Sequence, residues 1–276
     1  MEKEIKQVVK TAYAKIALQS ASGCCSSSSC SGSAGSCCSG VSAADANSLG
    51  IGYTHEDIKS VPQGSNLGLG CGNPIALASL REGETVLDLG SGAGFDCFLA
   101  AARVGAQGRV IGVDMTPEMI DKARQNAAQG NYQNVEFRLG EIESLPVTAG
   151  SMDVVISNCV INLCPDKQKV FSEIFRVLKP GGRMLVSDMV ISQELPDILK
   201  NSSQAYVGCI AGAALKKDYL DMICQAGFQK VKVVDETTFT VEYSVDLPEN
   251  KASPGVAGPS GSSDITSLRV SALKPS

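Results

Sequence analysis

The chain has 276 residues, of which 43% are hydrophobic, and its formal net charge is −5. This length and composition predict one large globular domain, or one domain with a smaller addition. No basic stripe stands out and no apolar run reaches the length of a membrane span, so we expect neither nucleic acid nor a membrane as a partner. The first residues lack the apolar block of a signal peptide, and we therefore expect a cytoplasmic location where thiols stay reduced.

Eleven cysteines and one histidine limit the chemistry that is open to the chain. The odd cysteine count argues against a fully paired disulfide framework, and in a reducing compartment it points to a soft metal, a metalloid or redox chemistry. A zinc site would need cysteines and carboxylates, and a Ser-His-Asp triad would depend on His55 alone. That histidine follows Thr54 at a predicted helix start, so we interpret it as a surface residue.

In chain order, the sequence begins with a predicted helix over 2–20 and continues into a segment rich in Cys, Ser and Gly. The segment has no apolar face to bury and is not expected to fold alone. We divide the chain into residues 1–50, a core over 51–190, and a part over 191–276 that completes the core. Five cysteines lie in the first of these parts: Cys24, Cys25, Cys30, Cys37 and Cys38.

Strands and helices alternate through the core, which predicts a parallel sheet with helices on both faces. After residue 191, we predict a helix over 216–228, two strands, and between them a Pro/Gly/Ser-rich loop over 247–264. The predicted core strands cover 85–90, 109–115, 134–140, 151–160 and 183–190, and the helices between them cover 96–105, 116–130 and 166–182.

The stretch VLDLGSGAGF joins the first strand to a helix and places Asp88 two residues before Gly90. Glycines let a backbone approach a ligand closely, and a helix N-terminus favours negative groups. The G-x-G-x-G spacing differs from the G-x-G-x-x-G of dinucleotide sites, and Asp114 ends the next strand, where a carboxylate can accept ribose hydroxyls. A tight turn that binds nothing is the alternative interpretation.

An acidic residue before the first glycine resembles methyltransferases that use S-adenosyl-L-methionine. The resemblance implies that Asp114 holds the ribose and that the glycine loop faces the methionine end. The stretch LGEIESLP resembles the adenine-side loop of that family, although Glu141 could equally be a solvated carboxylate. The expected cofactor contacts are Asp88, Gly90, Ser91, Gly92, Gly94, Asp114, Met115, Glu141, Ile142 and Asn158.

The remaining cysteines occur in different settings. Cys97 and Cys224 lie within predicted helices, and we expect both to be small core residues. Cys71 lies in a Gly-rich loop, Cys159 ends the fourth strand, and Cys209 follows the fifth strand. Ligands bind beyond the carboxyl ends of parallel strands, so the last three could be ligands or ordinary packing residues.

Together, NLGLGCGNP, VLDLGSGAGFDCFLAA, SNCVINLCPDK, RVLKPGGRMLVSDMV and YVGCIAGA resemble the arsenite methyltransferases, and the similarity extends over roughly the whole chain. The resemblance implies an α/β, Rossmann-like sheet of seven strands with one late antiparallel strand and a C-terminal extension. It also implies that Cys71, Cys159 and Cys209 bind trivalent arsenic. Animal members carry a glutamate before the third cysteine, whereas this chain has Gly208 and resembles the microbial members more closely.

The expected partners are arsenite or its thiol conjugates, with thioredoxin or small thiols as reductant, and we expect a monomer. The Cys-rich segment could capture arsenite or supply electrons, or it could only scavenge metals. Two other functions stay open at this point. One is a methyltransferase of this fold acting on a carbon or oxygen acceptor such as a quinone; the other is a thiol-rich metal buffer without enzymatic activity.

Overall fold

The structure is a computed structural model that describes residues 2–19, 42–244 and 260–276. No helix in these ranges is long and apolar enough to cross a membrane. The five cysteines between Cys24 and Cys38 lie outside the described residues. The helices are α1 (Glu2–Gln19), α2 (Ala43–Gly50), α3 (His55–Ser60), α4 (Pro74–Leu77), α5 (Phe95–Val104), α6 (Pro117–Gln129), α7 (Lys167–Val177), α8 (Asp197–Lys200), α9 (Ser203–Val207) and α10 (Lys216–Gln225).

The strands form one sheet in the order β3-β2-β1-β4-β5-β8-β7, and the two-residue strand β6 pairs with β5. The strands β1 to β5 pair in parallel, and β8 runs antiparallel to both of its neighbours. The strands are β1 (Thr85–Leu89), β2 (Arg109–Asp114), β3 (Val135–Leu139), β4 (Met152–Asn158), β5 (Leu178–Ile191), β6 (Ala214–Leu215), β7 (Gln229–Ser244) and β8 (Ser260–Leu273). The predicted α/β sheet with one late antiparallel strand is confirmed, and β6 is an addition to it.

Hydrophobic cores cover both faces of the sheet. Successive side chains of a strand point to opposite faces, and neighbouring residues of β1 accordingly enter different cores. Val86 packs with Phe98 of α5 and with α6, while Leu87 packs with Phe171 of α7 and Tyr219 of α10. This arrangement leaves the carboxyl ends of β1, β2 and β4 at one edge of the sheet.

Among the element boundaries that differ from the sequence prediction, two have a clear physical reason. Helix α7 ends at Val177 and β5 begins at Leu178, because the register against β4 shifts between Met152 and Val154 and so accommodates the Pro-Gly-Gly residues within the strand. Residues 260–264, predicted as loop, belong to β8. There the Asp264 carboxylate accepts a hydrogen bond from Thr240 of β7 at 2.7 Å, so cross-strand pairing overrides the loop-like composition.

Smaller predictions can also be compared with the structure. Thr54 caps α3 in a capping box with Asp57, and His55 is exposed at the start of that helix, as predicted. Cys97 is fully buried, as expected, but the prediction for Cys224 is wrong because its side chain is exposed. It lies on α10, which buries the faces carrying Tyr219 and Ile223 instead.

Candidate active site

The loop after β1 is tight because its glycines adopt conformations that other residues avoid. Gly90, Gly92 and Gly94 have φ values of 65°, 51° and 97°. A Cβ atom at Gly90 would lie 2.4 Å from the Val160 side chain, whereas one at Gly92 would meet nothing within 4 Å. The loop therefore packs against the β4 end on one side and leaves open space at Gly92.

Asp114 closes this loop from the end of β2. Its carboxylate accepts hydrogen bonds from the Gly92 amide at 3.0 Å and from the Thr116 amide at 2.8 Å. Burial raises the pKa of Asp114, and these amide donors oppose that rise. The hydroxyl oxygen of Ser91 is buried nearby without a hydrogen-bond partner among the described residues. The loop thus offers both a fixed carboxylate and a free polar atom to a ligand with hydroxyl groups.

Two further carboxyl groups line the same pocket. Asp96 accepts a hydrogen bond from the Tyr53 hydroxyl at 2.6 Å, and Asp88 accepts one from the Cys97 thiol at 3.2 Å. Burial raises the pKa of Asp96 to about 6, and burial together with the Asp96 charge raises the pKa of Asp88 well above its usual range. A cationic ligand in this pocket would lower these pKa values again, because a nearby positive charge favours the charged carboxylates.

Asn158, at the end of β4, connects the pocket to the Gly-rich loop of Cys71. Its side-chain oxygen accepts hydrogen bonds from the Cys71 amide at 3.0 Å and the Gly72 amide at 3.3 Å. Its side-chain nitrogen donates to the Tyr53 hydroxyl at 2.9 Å and to Asp96 at 3.2 Å. One side chain thereby holds the Cys71 loop beside the buried carboxyl groups.

The thiols of Cys71, Cys159 and Cys209 form one buried cluster together with Val9 and Leu163. Their side chains are 5%, 6% and 4% exposed, which leaves little room for solvent among them. The Cys209 thiol donates a hydrogen bond to the Cys159 carbonyl at 2.8 Å, and the Cys71 thiol donates to the Ser187 carbonyl at 3.4 Å. Three elements that are distant in sequence therefore bring three sulfur atoms together.

The backbone at this cluster adopts rarely populated conformations and makes close contacts. Cys159 and Cys209 both have a φ of 63°, in the left-handed region that residues with a Cβ atom rarely adopt. On either side of Cys71, a Cβ atom at Gly70 would lie 2.5 Å from Asn158, and one at Gly72 would lie 2.1 Å from the Ser187 hydroxyl. The glycines thus let the loop lie directly on the ends of β4 and β5.

The electrostatic setting favours the protonated form of two thiols in this cluster, those of Cys159 and Cys71. Hydrogen bonds with the thiols of Cys209 and Cys71, followed by burial, raise the pKa of Cys159 well above its usual range. Burial is the largest cause that raises the pKa of Cys71. Closely spaced buried thiols cannot all ionise without a cation between them. A soft, electron-poor atom that replaces their protons suits this cluster.

Helix α1 covers both the thiol cluster and the glycine-loop pocket. Val9 is fully buried among the thiols, and the Tyr13 hydroxyl donates to the Val207 carbonyl at 3.4 Å. Burial, and then the neighbouring Cys209 and Cys159 thiols, raise the pKa of Tyr13. Tyr13 also lines the pocket that contains Asp114, so it lies between the two halves of the site.

One continuous pocket connects these parts, which makes a two-substrate reaction possible. Gly92, Asp114 and Cys159 all line it, whereas Cys71 and Cys209 are not among the described residues that line it. A ligand held at the glycine loop can therefore present a reactive group directly to an atom held by the thiols.

Comparisons with known proteins agree with this geometry. Residues 80–227 match the family model described as a methyltransferase domain, which is more than half of the chain. The chain is 50% identical over 247 residues to the arsenite methyltransferase of Halobacterium salinarum, covering 88% of this chain and 63% of the relative. It is 36% identical over 182 residues to the human arsenite methyltransferase, covering 63% of this chain and 48% of the relative.

A solved structure indicates the same family. CrArsM, an arsenic(III) S-adenosylmethionine methyltransferase from Chlamydomonas reinhardtii, superposes with a TM-score of 0.60 at 33% identity, covering 83% of this chain and 74% of that one. The chain belongs to the arsenite methyltransferase family. It spans between about half and just under two thirds of the length of the curated family members named above.

S-adenosylmethionine is the cofactor of this methyltransferase family, and most of the contacts predicted for it line the pocket described above. Gly94 and Glu141 are not among the described residues that line it. Gly94 begins α5 with Phe98 packed against it, and Glu141 pairs with Lys6 at 2.7 Å and Lys10 at 3.7 Å. The roles of all these residues toward the cofactor stay predictions. Those that line the pocket are Asp88, Gly90, Ser91, Gly92, Asp114, Met115, Ile142 and Asn158.

Several residues at this pocket and at the thiol cluster were not identified from the sequence. Asp96 lies in the first turn of the helix after the glycine loop, and Asp188 lies near the end of β5, where a parallel strand places ligand contacts. Asp188 and Asp114 both lie at or near the carboxyl end of a strand. The signal that identified Asp114 could therefore also have identified Asp188. Tyr13 and Tyr53 had no such signal, because only the packing of α1 and of the segment before α3 brings them to the pocket.

Proposed function

We propose that this chain transfers methyl groups from S-adenosylmethionine to trivalent arsenic bound by Cys71, Cys159 and Cys209. The observation that carries the proposal is the buried cluster of three thiols, of which Cys159 lines the same pocket as Gly92 and Asp114. Trivalent arsenic is soft, and thiolates are the soft ligands of proteins. Arsenite, As(OH)₃, would exchange its three hydroxyl groups for three thiolates, and the thiol protons would leave as three water molecules.

The residues then act mainly by positioning. Three sulfur ligands would leave one lone pair on arsenic, and Cys159 lines the pocket in which the methyl donor would bind. S-adenosylmethionine supplies an electrophilic methyl group when bound. Asp114 and the glycine loop would hold its ribose and methionine portions, and the buried carboxyls of Asp88 and Asp96 favour its positive charge. No side-chain base is needed for the transfer, because the attacking lone pair carries no proton.

Speciation of arsenic after incubation with arsenite, S-adenosylmethionine and a thiol reductant tests this function. We expect methylated arsenic from the wild type, nearly none from Cys159→Ser, and normal amounts from Cys224→Ser, an exposed cysteine outside the cluster and the pocket. Equal product from Cys159→Ser would discard the three-thiol site. If no variant methylates arsenic but S-adenosylmethionine still binds, the acceptor is a carbon or oxygen nucleophile instead.

The Cys-rich segment completes the proposal. Methyl transfer takes arsenic formally to the pentavalent state, so each further round needs two electrons, which two thiols supply by closing a disulfide that thioredoxin or a small thiol reopens. The flanking helices support this role, since Tyr13 of α1 and Ser48 of α2 both line the pocket. We propose that Cys24, Cys25, Cys30, Cys37 and Cys38 capture arsenite, supply these electrons, or both.

Replacement of these five cysteines by serine tests the segment. We expect a lower rate at limiting arsenite or a loss of later methylation steps, with Cys224→Ser as the control because that thiol is exposed outside the segment. Wild-type rates at limiting arsenite and at limiting reductant would assign the segment a passive role. We also propose a division of roles within the chain. Residues 51–190 bind the cofactor, and residues 191–276 bring Cys209 to the site. That the protein is a monomer and that it is located in the cytoplasm both stay predictions.

A further inference from the structure

Asp188 is a buried carboxyl group that the proposed methyl transfer does not use. It lies on β5, is fully buried, and accepts a hydrogen bond from the Tyr219 hydroxyl at 2.9 Å through its Oδ2 atom. Its Oδ1 atom has no hydrogen-bond partner among the described residues. A buried polar atom without a well-formed hydrogen bond is costly, and a water molecule or an ion can offset that cost, although the Met189 and Asn162 amides also favour the charged form of Asp188.

The Asp188 carboxyl group lies beside two of the cluster's thiols. One carboxylate oxygen of Asp188 and the sulfur atoms of Cys71 and Cys159 all lie within 4.8 Å of one another, and all three residues are buried. In a tetrahedral zinc site, neighbouring ligand atoms are roughly 3.5 Å apart. Side-chain adjustments of about 1 Å are therefore enough to close these three atoms around a metal ion.

We propose that Cys71, Cys159 and Asp188 form a second ligand set that binds a divalent, borderline-soft cation such as Zn²⁺, and that this cation competes with arsenite. Two thiolates and a carboxylate are ordinary zinc ligands, with the fourth position left open. The inference uses two thiols of the proposed arsenic site, but it does not depend on methyl transfer.

Charge distinguishes the two ligands. Trivalent arsenic with three thiolates is neutral and needs no carboxylate. Zn²⁺ with two thiolates and the Asp188 carboxylate carries one negative charge, and its binding releases the two thiol protons to solvent. Lys167 is half-buried on the neighbouring helix α7, and its charge interacts with Asp188. Its ammonium group offsets that negative charge, so the zinc-loaded site is close to neutral.

Each ligand set contains one residue that the other lacks, so a single substitution can weaken the binding of one ligand without affecting the other. Cys209 belongs only to the arsenic set, and Asp188 belongs only to the zinc set. We expect Asp188→Asn to weaken zinc binding by at least about 100-fold, because loss of an outer-shell partner alone costs roughly 10- to 100-fold. Its arsenite affinity should stay within about threefold of the parent. Cys209→Ser should do the reverse.

Zinc affinity is measured by competition with a chromophoric chelator in the full chain, with the five cysteines between Cys24 and Cys38 changed to serine so that only the cluster binds. Asp96→Asn serves as a buried-carboxyl control for metal binding. The X-ray absorption spectrum of the zinc-loaded protein should show two sulfur neighbours, the rest being oxygen, and arsenite should displace the zinc.

The result that overturns the proposal is a zinc affinity unchanged in Asp188→Asn, or a zinc spectrum with three or more sulfur neighbours. If Asp188→Asn fails to fold, the spectrum of the parent still decides. Zinc binding without any arsenic methylation would retain this inference and reject the proposed function, whereas methylation without zinc binding would do the opposite.

Discussion

At the scale of single residues, the site depends on close approaches that only glycine permits. Gly90 packs against Val160, Gly70 against Asn158, and Gly72 against Ser187, each at a distance too short for a Cβ atom. A Cβ atom at Gly92 would instead point into the open space of the pocket. Glycines of one short motif therefore serve two purposes, and substitution can separate them.

Gly90→Ala and Gly92→Ala form a matched pair, because both positions have a positive φ. The left-handed conformation lowers the unfolding free energy of each variant by roughly 1–2 kcal/mol. We expect Gly90→Ala to lose a further 1–3 kcal/mol or so of unfolding free energy, from overpacking against Val160. Gly92→Ala should mainly raise the KM for S-adenosylmethionine, because its methyl group enters the pocket. Urea unfolding and steady-state kinetics measure the two effects, and equal stabilities of the two variants would refute the assignment.

Much of the site's chemistry could be predicted at this scale. Asp114 was singled out by its place at the end of a strand, because parallel strands bring such places to one edge. Position left the three clustered cysteines open as ligands or packing residues, and the resemblance to arsenite methyltransferases singled them out. Asn158 was expected as a pocket residue, yet its hydrogen bonds to the Cys71 loop could not be predicted, since they depend on the placement of a loop more than 80 residues away. The exposed Cys224 shows the same limit, because helical periodicity alone did not identify which face α10 buries.

At the scale of elements, helix α1 is held over the pocket by its lysines. Lys6 pairs with Glu141 at 2.7 Å and with the buried Glu143 at 2.9 Å, whereas Lys10 makes one longer contact with Glu141 at 3.7 Å. The sequence predicted this helix, but its docking against α6 and α9 follows from tertiary packing that no local pattern encodes. The Glu141 carboxylate is therefore paired with two lysines of α1.

We expect Lys6→Gln to loosen α1, and Lys10→Gln to have little effect. Ion pairs in partly exposed positions contribute about 1 kcal/mol or less, and the buried Glu143 places the Lys6 pair at the upper end of that range. Hydrogen exchange over residues 2–19 should become several-fold faster in Lys6→Gln only. Equal exchange in both variants would show that apolar contacts such as that of Val9 hold the helix by themselves.

At the scale of the whole molecule, the buried carboxyl groups of the pocket make stability depend on pH. The folded protein raises the pKa of Asp96 to about 6, chiefly by burial, so this carboxyl binds a proton more tightly in the folded state than in the unfolded state. Its contribution to stability is present below its unfolded pKa and is lost as the pH rises through the folded value. The loss therefore falls between about pH 4 and pH 6.

Asp96→Asn removes this contribution. Because Asp96 also raises the pKa of Asp88, the substitution lowers that pKa as well, and both changes act in the same direction. We expect the unfolding free energy of the variant to decline less than that of the wild type between about pH 4 and pH 6, by up to a few kcal/mol. Parallel pH profiles from chemical denaturation would contradict the buried, proton-binding state of the pocket.

The most direct test of the central claim is the arsenic X-ray absorption spectrum of the arsenite-loaded protein. The chain should carry serine at its five cysteines between Cys24 and Cys38, so that these thiols do not bind the arsenic. The account predicts three sulfur neighbours and no oxygen around arsenic, falling to two sulfurs when Cys159→Ser is added. Two or fewer sulfurs in the parent, or a spectrum that Cys159→Ser leaves unchanged, would contradict it.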